Sequence, residues 1–209
     1  MSTTQILLIR HGQTAWNAEQ RVRGQADIPL DERGLHQAEL TARYVARRWP
    51  LAAVYASPLR RAQQTARLVA RAQHLEARCL EGLLDISFGR WEGELLSDVD
   101  VRWPELARAW YETPHRVRFP DGEALDIVRE RSTAALRQVA GRHVGETVAL
   151  VAHTVVNRVL LCAVVGLGNE AFWRFGQGTC AVNLIEWTRS EYHLEIMNDT
   201  SHLWRGRGT

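Results

Sequence analysis

Gln5-Ile6-Leu7-Leu8-Ile9-Arg10-His11-Gly12 reads as a strand that is apolar on both faces and stops abruptly in charge. A short run of this kind belongs inside a sheet covered above and below, which is where parallel strands are found. Two other runs share the form. Ala52-Ala53-Val54-Tyr55-Ala56 leads into Ser57-Pro58-Leu59-Arg60-Arg61, and Thr147-Val148-Ala149-Leu150-Val151-Ala152 leads into His153-Thr154. Between them the apolar period lengthens to that of helices. Leu35, Ala38, Leu40, Ala42 and Val45 recur until Pro50 stops the run, and Ala62, Ala66, Val69 and Ala70 follow Pro58, with Ser57 as the cap residue. Weaker helical segments fall around 94–112 and 123–142, separated by a loop punctuated by Pro114 and Pro120-Asp121-Gly122, and a helix follows the third strand over 155–165. Ala181–Trp187 and Tyr192–Met197 read as strands joined by a turn at 188–191, and residues 205–209 as a frayed tail. Strand–helix alternation over the whole length predicts an α/β fold: a three-layer sandwich, with a mostly parallel central sheet and helices on both faces. With no repeat, linker or low-complexity block, residues 1–209 are expected to form a single domain.

Composition narrows the class. The chain has 209 residues, 45% of them hydrophobic and 24% charged, in the range of ordinary globular proteins. Its 26 basic and 24 acidic side chains nearly cancel, which argues against a dedicated nucleic-acid binder. Every basic residue is Arg, because the chain contains no Lys. Schiff-base chemistry, pyridoxal phosphate attachment and the P-loop amine are therefore excluded. What remains is a set of planar, permanently charged forks suited to phosphate or carboxylate. Three scattered cysteines, Cys79, Cys162 and Cys180, point to reduced thiols and a cytoplasmic protein rather than a disulfide framework. Met1-Ser2-Thr3-Thr4-Gln5 lacks a basic leader region, and the longest apolar run, Val159–Val165, is too short to span a bilayer, so no membrane association is expected.

The chemistry gathers at the carboxyl ends of the three buried strands, where ligands bind in open α/β sheets. Arg10-His11, Arg60-Arg61 and His153 stand at these exits. Cations beside helix N-termini work against the helix dipole, so their repeated placement there points to an anionic ligand.

These residues also carry a resemblance. Arg10-His11-Gly12-Gln13-Thr14-Ala15-Trp16-Asn17 resembles the R-H-G-[EQ]-T-x-x-N signature of the histidine phosphatase superfamily, the phosphoglycerate mutase-like proteins. Ser57-Pro58-Leu59-Arg60-Arg61-Ala62-Gln63-Gln64-Thr65-Ala66 is similar to its S-P-L-x-R-A-x-Q-T-A segment. Gly24-Gln25-Ala26-Asp27-Ile28-Pro29-Leu30 and Phe88-Gly89-Arg90-Trp91-Glu92-Gly93 match two more stretches in the right order. The resemblance covers nearly the whole chain and implies His11 as nucleophile, with Arg10, Asn17, Arg61 and His153 around the phosphoryl group. Asp85 stands at the acid/base position of the family's E-x-x-F-G pattern, with Glu92, Asp121 and Glu123 as alternative acids nearby. It further implies a phosphomonoesterase that needs no metal or cofactor and acts on a small phosphorylated metabolite.

The chain departs from the family pattern at several positions. Asp85 is one methylene shorter than the usual Glu, Arg23 replaces Gln before Gly24, and Thr154 replaces Gly after the second His. Arg23, Gly24 and Thr154 are thus candidate substrate-binding positions, an extra cation at 23 being suited to a carboxylate or second phosphate. His153-Thr154-Val155, Cys162-Ala163 and Phe172-Trp173-Arg174-Phe175-Gly176 are similar to the metal-independent phosphoserine phosphatase branch, although Phe88 stands where that branch carries His. Two rival readings are a phosphoglycerate mutase, whose long closing insertion this chain lacks, and a non-catalytic phospholigand binder, which the intact His and Arg set argues against. The eight Trp leave room for an interface patch and hence a homodimer, but large core residues are the reading taken.

Overall fold

A computed structural model describes residues 3–188 and 191–204. Six strands form one sheet in the order β3-β2-β4-β1-β5-β6, with β1 at Thr4–Arg10, β2 at Ala53–Ala56, β3 at Ala77–Cys79, β4 at Thr147–Ala152, β5 at Val182–Trp187 and β6 at Tyr192–Asp199. The β3-β2-β4-β1 half is parallel, while β5 runs antiparallel to both β1 and β6. The mixed sheet is thus parallel where the long crossovers are and antiparallel where a hairpin suffices.

Side-chain alternation along β1 builds two cores. Ile6 and Leu8 face one side with Tyr55 and Leu150, and Leu7 and Ile9 face the other with Val54 and Val151. The second face is covered by α2 (Glu32–Arg48) and α3 (Arg60–Arg71), which turn Val45, Ala42, Ala62, Ala66 and Val69 inward. The first face is covered by α6 (Leu125–Arg142) and α7 (Thr154–Val164), and the aromatic residues Trp91, Trp110, Phe119 and Phe172 extend it. Helices therefore lie on both sides of the sheet, as the alternation of the sequence predicted.

Several local expectations change. The segment expected to be helical over 94–112 divides into α4 (Leu96–Arg102) and α5 (Pro104–Glu112), because Pro104 cannot continue α4 but suits the first position of a new helix. A single turn, α1 (Ala15–Ala18), follows β1, capped by Thr14. Strand β3 was not foreseen: three partly exposed residues at a sheet edge carry no apolar run to reveal them. Ser57 does not cap α3, whose N-cap is Leu59; its hydroxyl is used elsewhere. The loop before α6 is held down by buried Val117 and Phe119, leaving His115 exposed. The turn expected at 188–191 falls partly, and the tail at 205–209 wholly, outside the described residues. No described helix is long and apolar enough to cross a membrane.

Candidate active site

Strand order assembles the site. β4 lies between β1 and β2, so the exits of these three strands are neighbours, one strand spacing apart. His11 leaves β1 and His153 leaves β4, with ring centroids 5.2 Å apart, and Ser57 leaves β2. All three are buried.

The His11 ring is held by its own neighbour. Nδ1 lies 2.6 Å from the carbonyl oxygen of Gly12, an acceptor only, so Nδ1 carries the proton and donates. Nε2 keeps its lone pair. Gly12 in turn is fixed by a hydrogen bond from its amide to Thr65 Oγ1, 3.1 Å, and by its contact with α2: a Cβ there would lie 2.5 Å from the carbonyl oxygen of Gly34.

Arg61, fully buried, ties the remaining groups together. Its Nε donates to His153 Nδ1 at 3.2 Å, Nη1 to Ala26 O at 2.8 Å, and Nη2 to Gly24 O at 2.7 Å and Asp85 Oδ2 at 3.1 Å. Because Arg Nε can only donate, His153 Nδ1 is the acceptor, and its proton sits on Nε2, 2.7 Å from Ser57 Oγ. Both nitrogens of His153 are therefore engaged by protein groups. Gly24 contributes a carbonyl rather than a side chain: its φ is +51°, and a Cβ would lie 2.2 Å from Glu92 Oε1.

Burial sets the charge states. It pushes His11 well below the ordinary imidazole range, and Arg61, Arg10 and Arg23 reinforce the shift. His153 is lowered by burial, then by Arg61. Both rings are neutral. Burial moves Asp85 the opposite way, above the usual carboxylate range, against the opposing pull of Arg61 and Arg23. Asp85 Oδ1 accepts from the amide of Ile86, which leaves Oδ2 facing Arg61 and, at 3.5 Å, His153 Nδ1.

Arg10 is buried and donates through Nη1 to Gln177 O at 2.6 Å, but its buried Nε has no hydrogen-bond partner among the described residues. Arg23 repeats the pattern: Nη1 reaches Arg21 O at 3.2 Å, and the buried Nε is unpartnered. Two orphaned guanidinium donors beside two neutral imidazoles make a receptacle for an anion.

The structure thus brings His11, His153, Arg61, Asp85, Arg10 and Arg23 together. Asn17 is anchored through its side-chain oxygen, which accepts from the amide and hydroxyl of Thr14 at the start of α1, while a phosphate would take its Nδ2 donor. Thr154 follows His153 at the first position of α7 and is half-buried. Of the alternative acids, Glu92 accepts from the amides of Gln25 and Phe88 and bears on Arg61, Asp121 pairs with exposed Arg90, and Glu123 pairs with Arg131. Sequence reasoning missed Ser57 as the partner of His153, Thr65 and Gln177 as fixers of Gly12 and Arg10, and Gln25, whose side chain donates to Asp85 O at 3.1 Å. Their only signal was adjacency to the motif residues. Among the described residues, no group of three or more His, Cys, Asp or Glu is arranged to hold a metal ion.

Comparison with known proteins agrees with this geometry. Residues 6–200 match the family model described as histidine phosphatase superfamily, branch 1. The chain is 36% identical over 198 residues to phosphoserine phosphatase 1 of Hydrogenobacter thermophilus, covering 95% of this chain and 93% of the relative. It is 30% identical over 204 residues to the probable phosphoglycerate mutase GpmB of Yersinia pestis, covering 95% and 94%. Among solved structures, YhfR of Bacillus stearothermophilus superposes with a TM-score of 0.90 at 31% identity, covering 96% of this chain and 99% of that one.

Proposed function

The chain belongs to the histidine phosphatase superfamily, branch 1, and from that membership we propose that it hydrolyses small phosphorylated metabolites, phosphoserine-type esters among them, through a phosphohistidine on His11 and without a metal. The observation that carries the reading is the Nδ1 lock on a neutral, buried His11, which presents the Nε2 lone pair at a cationic strand exit.

In the first step Nε2 attacks phosphorus, the N–P bond forms, and the ester P–O bond breaks in line with it. Arg10 and Arg61 bear the charge on the equatorial oxygens, which is most of what phosphoryl transfer asks of a protein. Asp85, whose hold on a proton burial strengthens against the pull of Arg61 and Arg23, gives its proton to the departing alkoxide. In the second step the Asp85 carboxylate takes a proton from water, the resulting hydroxide forms the new O–P bond, and the N–P bond breaks. Inorganic phosphate leaves with Asp85 protonated again. His153 acts on Arg61: its accepting Nδ1 aims the guanidinium. For His153 to donate to phosphate through Nε2–H, it would exchange Ser57 for a phosphoryl oxygen.

The test is release of inorganic phosphate from p-nitrophenyl phosphate in EDTA, with trapping of an acid-labile, alkali-stable phosphoenzyme by quenching in alkaline detergent. Turnover and trapping are expected in the native chain and loss of both in His11→Ala. Activity that returns only with added metal, or that survives in His11→Ala, overturns the reading.

A further inference from the structure

Asn157, Gln177 and Asn183 carry buried side-chain amides that no step of the reaction uses, and they form one network. Asn183, on β5 opposite Leu8 of β1, donates through Nδ2 to Leu8 O at 2.8 Å and to Gln177 Oε1 at 3.1 Å. Its Oδ1 accepts from Gln177 Nε2 at 2.9 Å and from the amide of Asn198 on β6 at 2.8 Å. Gln177 Oε1 takes a second hydrogen bond from Asn157 Nδ2 at 3.1 Å, and Gln177 Nε2 also donates to Gly176 O at 2.7 Å. Every donor and acceptor of the Gln177 and Asn183 side chains is thus used.

The network bears on chemistry through the main chain of Gln177. Among the described residues the Arg10 guanidinium makes one hydrogen bond, from Nη1 to Gln177 O at 2.6 Å. The aim of Arg10 is therefore the aim of that carbonyl. Residues 175–181 form the loop that leads into β5, and a loop carbonyl is free to turn unless its residue is tied down. Here the side chain of the same residue is tied to β5 and α7, and through Asn183 to β1 and β6. Asn157 shows that more than packing is served. It sits one turn into α7, its amide hydrogen-bonded to His153 O at 2.9 Å, among the buried Val155, Val156, Val159 and Leu160 of the same helix. Its Oδ1 is buried without a partner among the described residues. A leucine of about the same size would avoid that cost, so stability alone does not account for an amide here.

We propose that Asn157 and Asn183 are positioning residues for phosphoryl transfer: by pinning the Gln177 side chain they hold its main-chain carbonyl, and through it the Arg10 guanidinium, where the phosphoryl oxygens are bound. The proposal rests on the phosphatase reading and deepens it. It ties the aim of the cation at the β1 exit to the helix that starts at His153, so that the two exits keep a fixed spacing around the phosphorus.

Double-mutant cycles with Arg10 test it. kcat/KM for p-nitrophenyl phosphate and the inhibition constant of inorganic phosphate are measured for the native chain, Asn157→Leu, Gln177→Met, Arg10→Met and the two doubles that include Arg10→Met. Asn157→Leu and Gln177→Met should each lower kcat/KM about tenfold and weaken phosphate inhibition by a similar factor, as the Arg10 fork loses its aim. Arg10→Met should lose about 10²–10³-fold in kcat/KM. Once Arg10 is gone, neither network change should cost more than about a further twofold, because residues that act through one group do not add. Asn157→Leu should meanwhile keep a urea midpoint at or above the native one, having shed an unpartnered acceptor. Gln177→Met carries the cycle if Asn157→Leu does not fold. A loss beyond about twofold in the Arg10→Met background, native activity in both single variants, or activity lost only as far as the folded fraction is lost overturns the proposal and leaves the phosphatase reading standing. Absence of p-nitrophenyl phosphate turnover in the native chain overturns both.

Discussion

Ser57 Oγ accepts the Nε2–H of His153 across 2.7 Å, and through that bond it selects the tautomer whose Nδ1 accepts from Arg61. Ser57→Ala leaves a buried N–H without an acceptor, a loss of about 1–3 kcal/mol. We expect lower stability in urea titration together with a kcat/KM reduced roughly tenfold, as the Arg61 fork loses its aim. A variant matching the native chain in both would show that the tautomer is fixed by something else.

Asp85→Asn separates proton donation from charge. Turnover of an alkyl phosphate should fall by about 10²–10⁴-fold, the usual contribution of general acid–base catalysis, and that of p-nitrophenyl phosphate by much less, since its leaving group needs little protonation. Equal losses remove Asp85 from the acid role. Stability should move the other way. The folded-state pKa of Asp85 lies above the unfolded value of 3.8, so its favourable contribution is complete below 3.8 and is lost as pH rises through the folded pKa. At neutral pH the Asn variant should therefore melt above the native chain, and the gap should close in acid.

His11 and His153 have the opposite linkage for acid. Their folded pKa values lie well below the unfolded 6.5, so the stability they contribute is present above 6.5 and declines as pH falls from there towards the folded values. Each adds a slope of up to about 1.4 kcal/mol per pH unit in that window. Urea midpoints measured from pH 7.5 to 5 should fall for the native chain and fall less steeply for His11→Gln. Parallel curves would mean that His11 is not buried neutral.

Gly12 and Gly34 meet backbone to backbone. An Ala at 12 places Cβ 2.5 Å from Gly34 O, and an Ala at 34 places it 2.0 Å from Gln13 O. Neither neighbour is a flexible side-chain tip, so either change should cost about 1–3 kcal/mol. Because Gly12 O holds His11 Nδ1, Gly12→Ala should also depress kcat more than its stability loss alone explains. Thermal melts and kinetics on the two variants check this, and full activity in Gly12→Ala would count against the lock.

The architecture was legible because its strands are apolar on both faces, and their charged exits at Arg10-His11, Arg61 and His153 do converge. Asp85 was reachable through its motif. What the sequence hid has a common cause. Ser57 serves a residue 96 positions away and Gln25 one 60 away, and nothing local marks such pairings. Ser57 looked like a helix cap because Ser before Pro usually is one. Strand β3 lies at a sheet edge with partly exposed residues, so no apolar pattern was required of it. Asn17 fits the phosphate-binding signature, and the signature did not show that its side-chain oxygen also closes the first turn after β1.

The insertion of β4 between β1 and β2 has a consequence for biosynthesis. A nascent chain still short of Thr147 on the ribosome has made both outer strands but not the one that joins them, so the bare edges of β1 and β2 await a partner. During that interval the polypeptide can offer a chaperone two sticky ribbons but no catalytic pocket. Activity should emerge late and in one step, when His153 is drawn in with the strand that carries it.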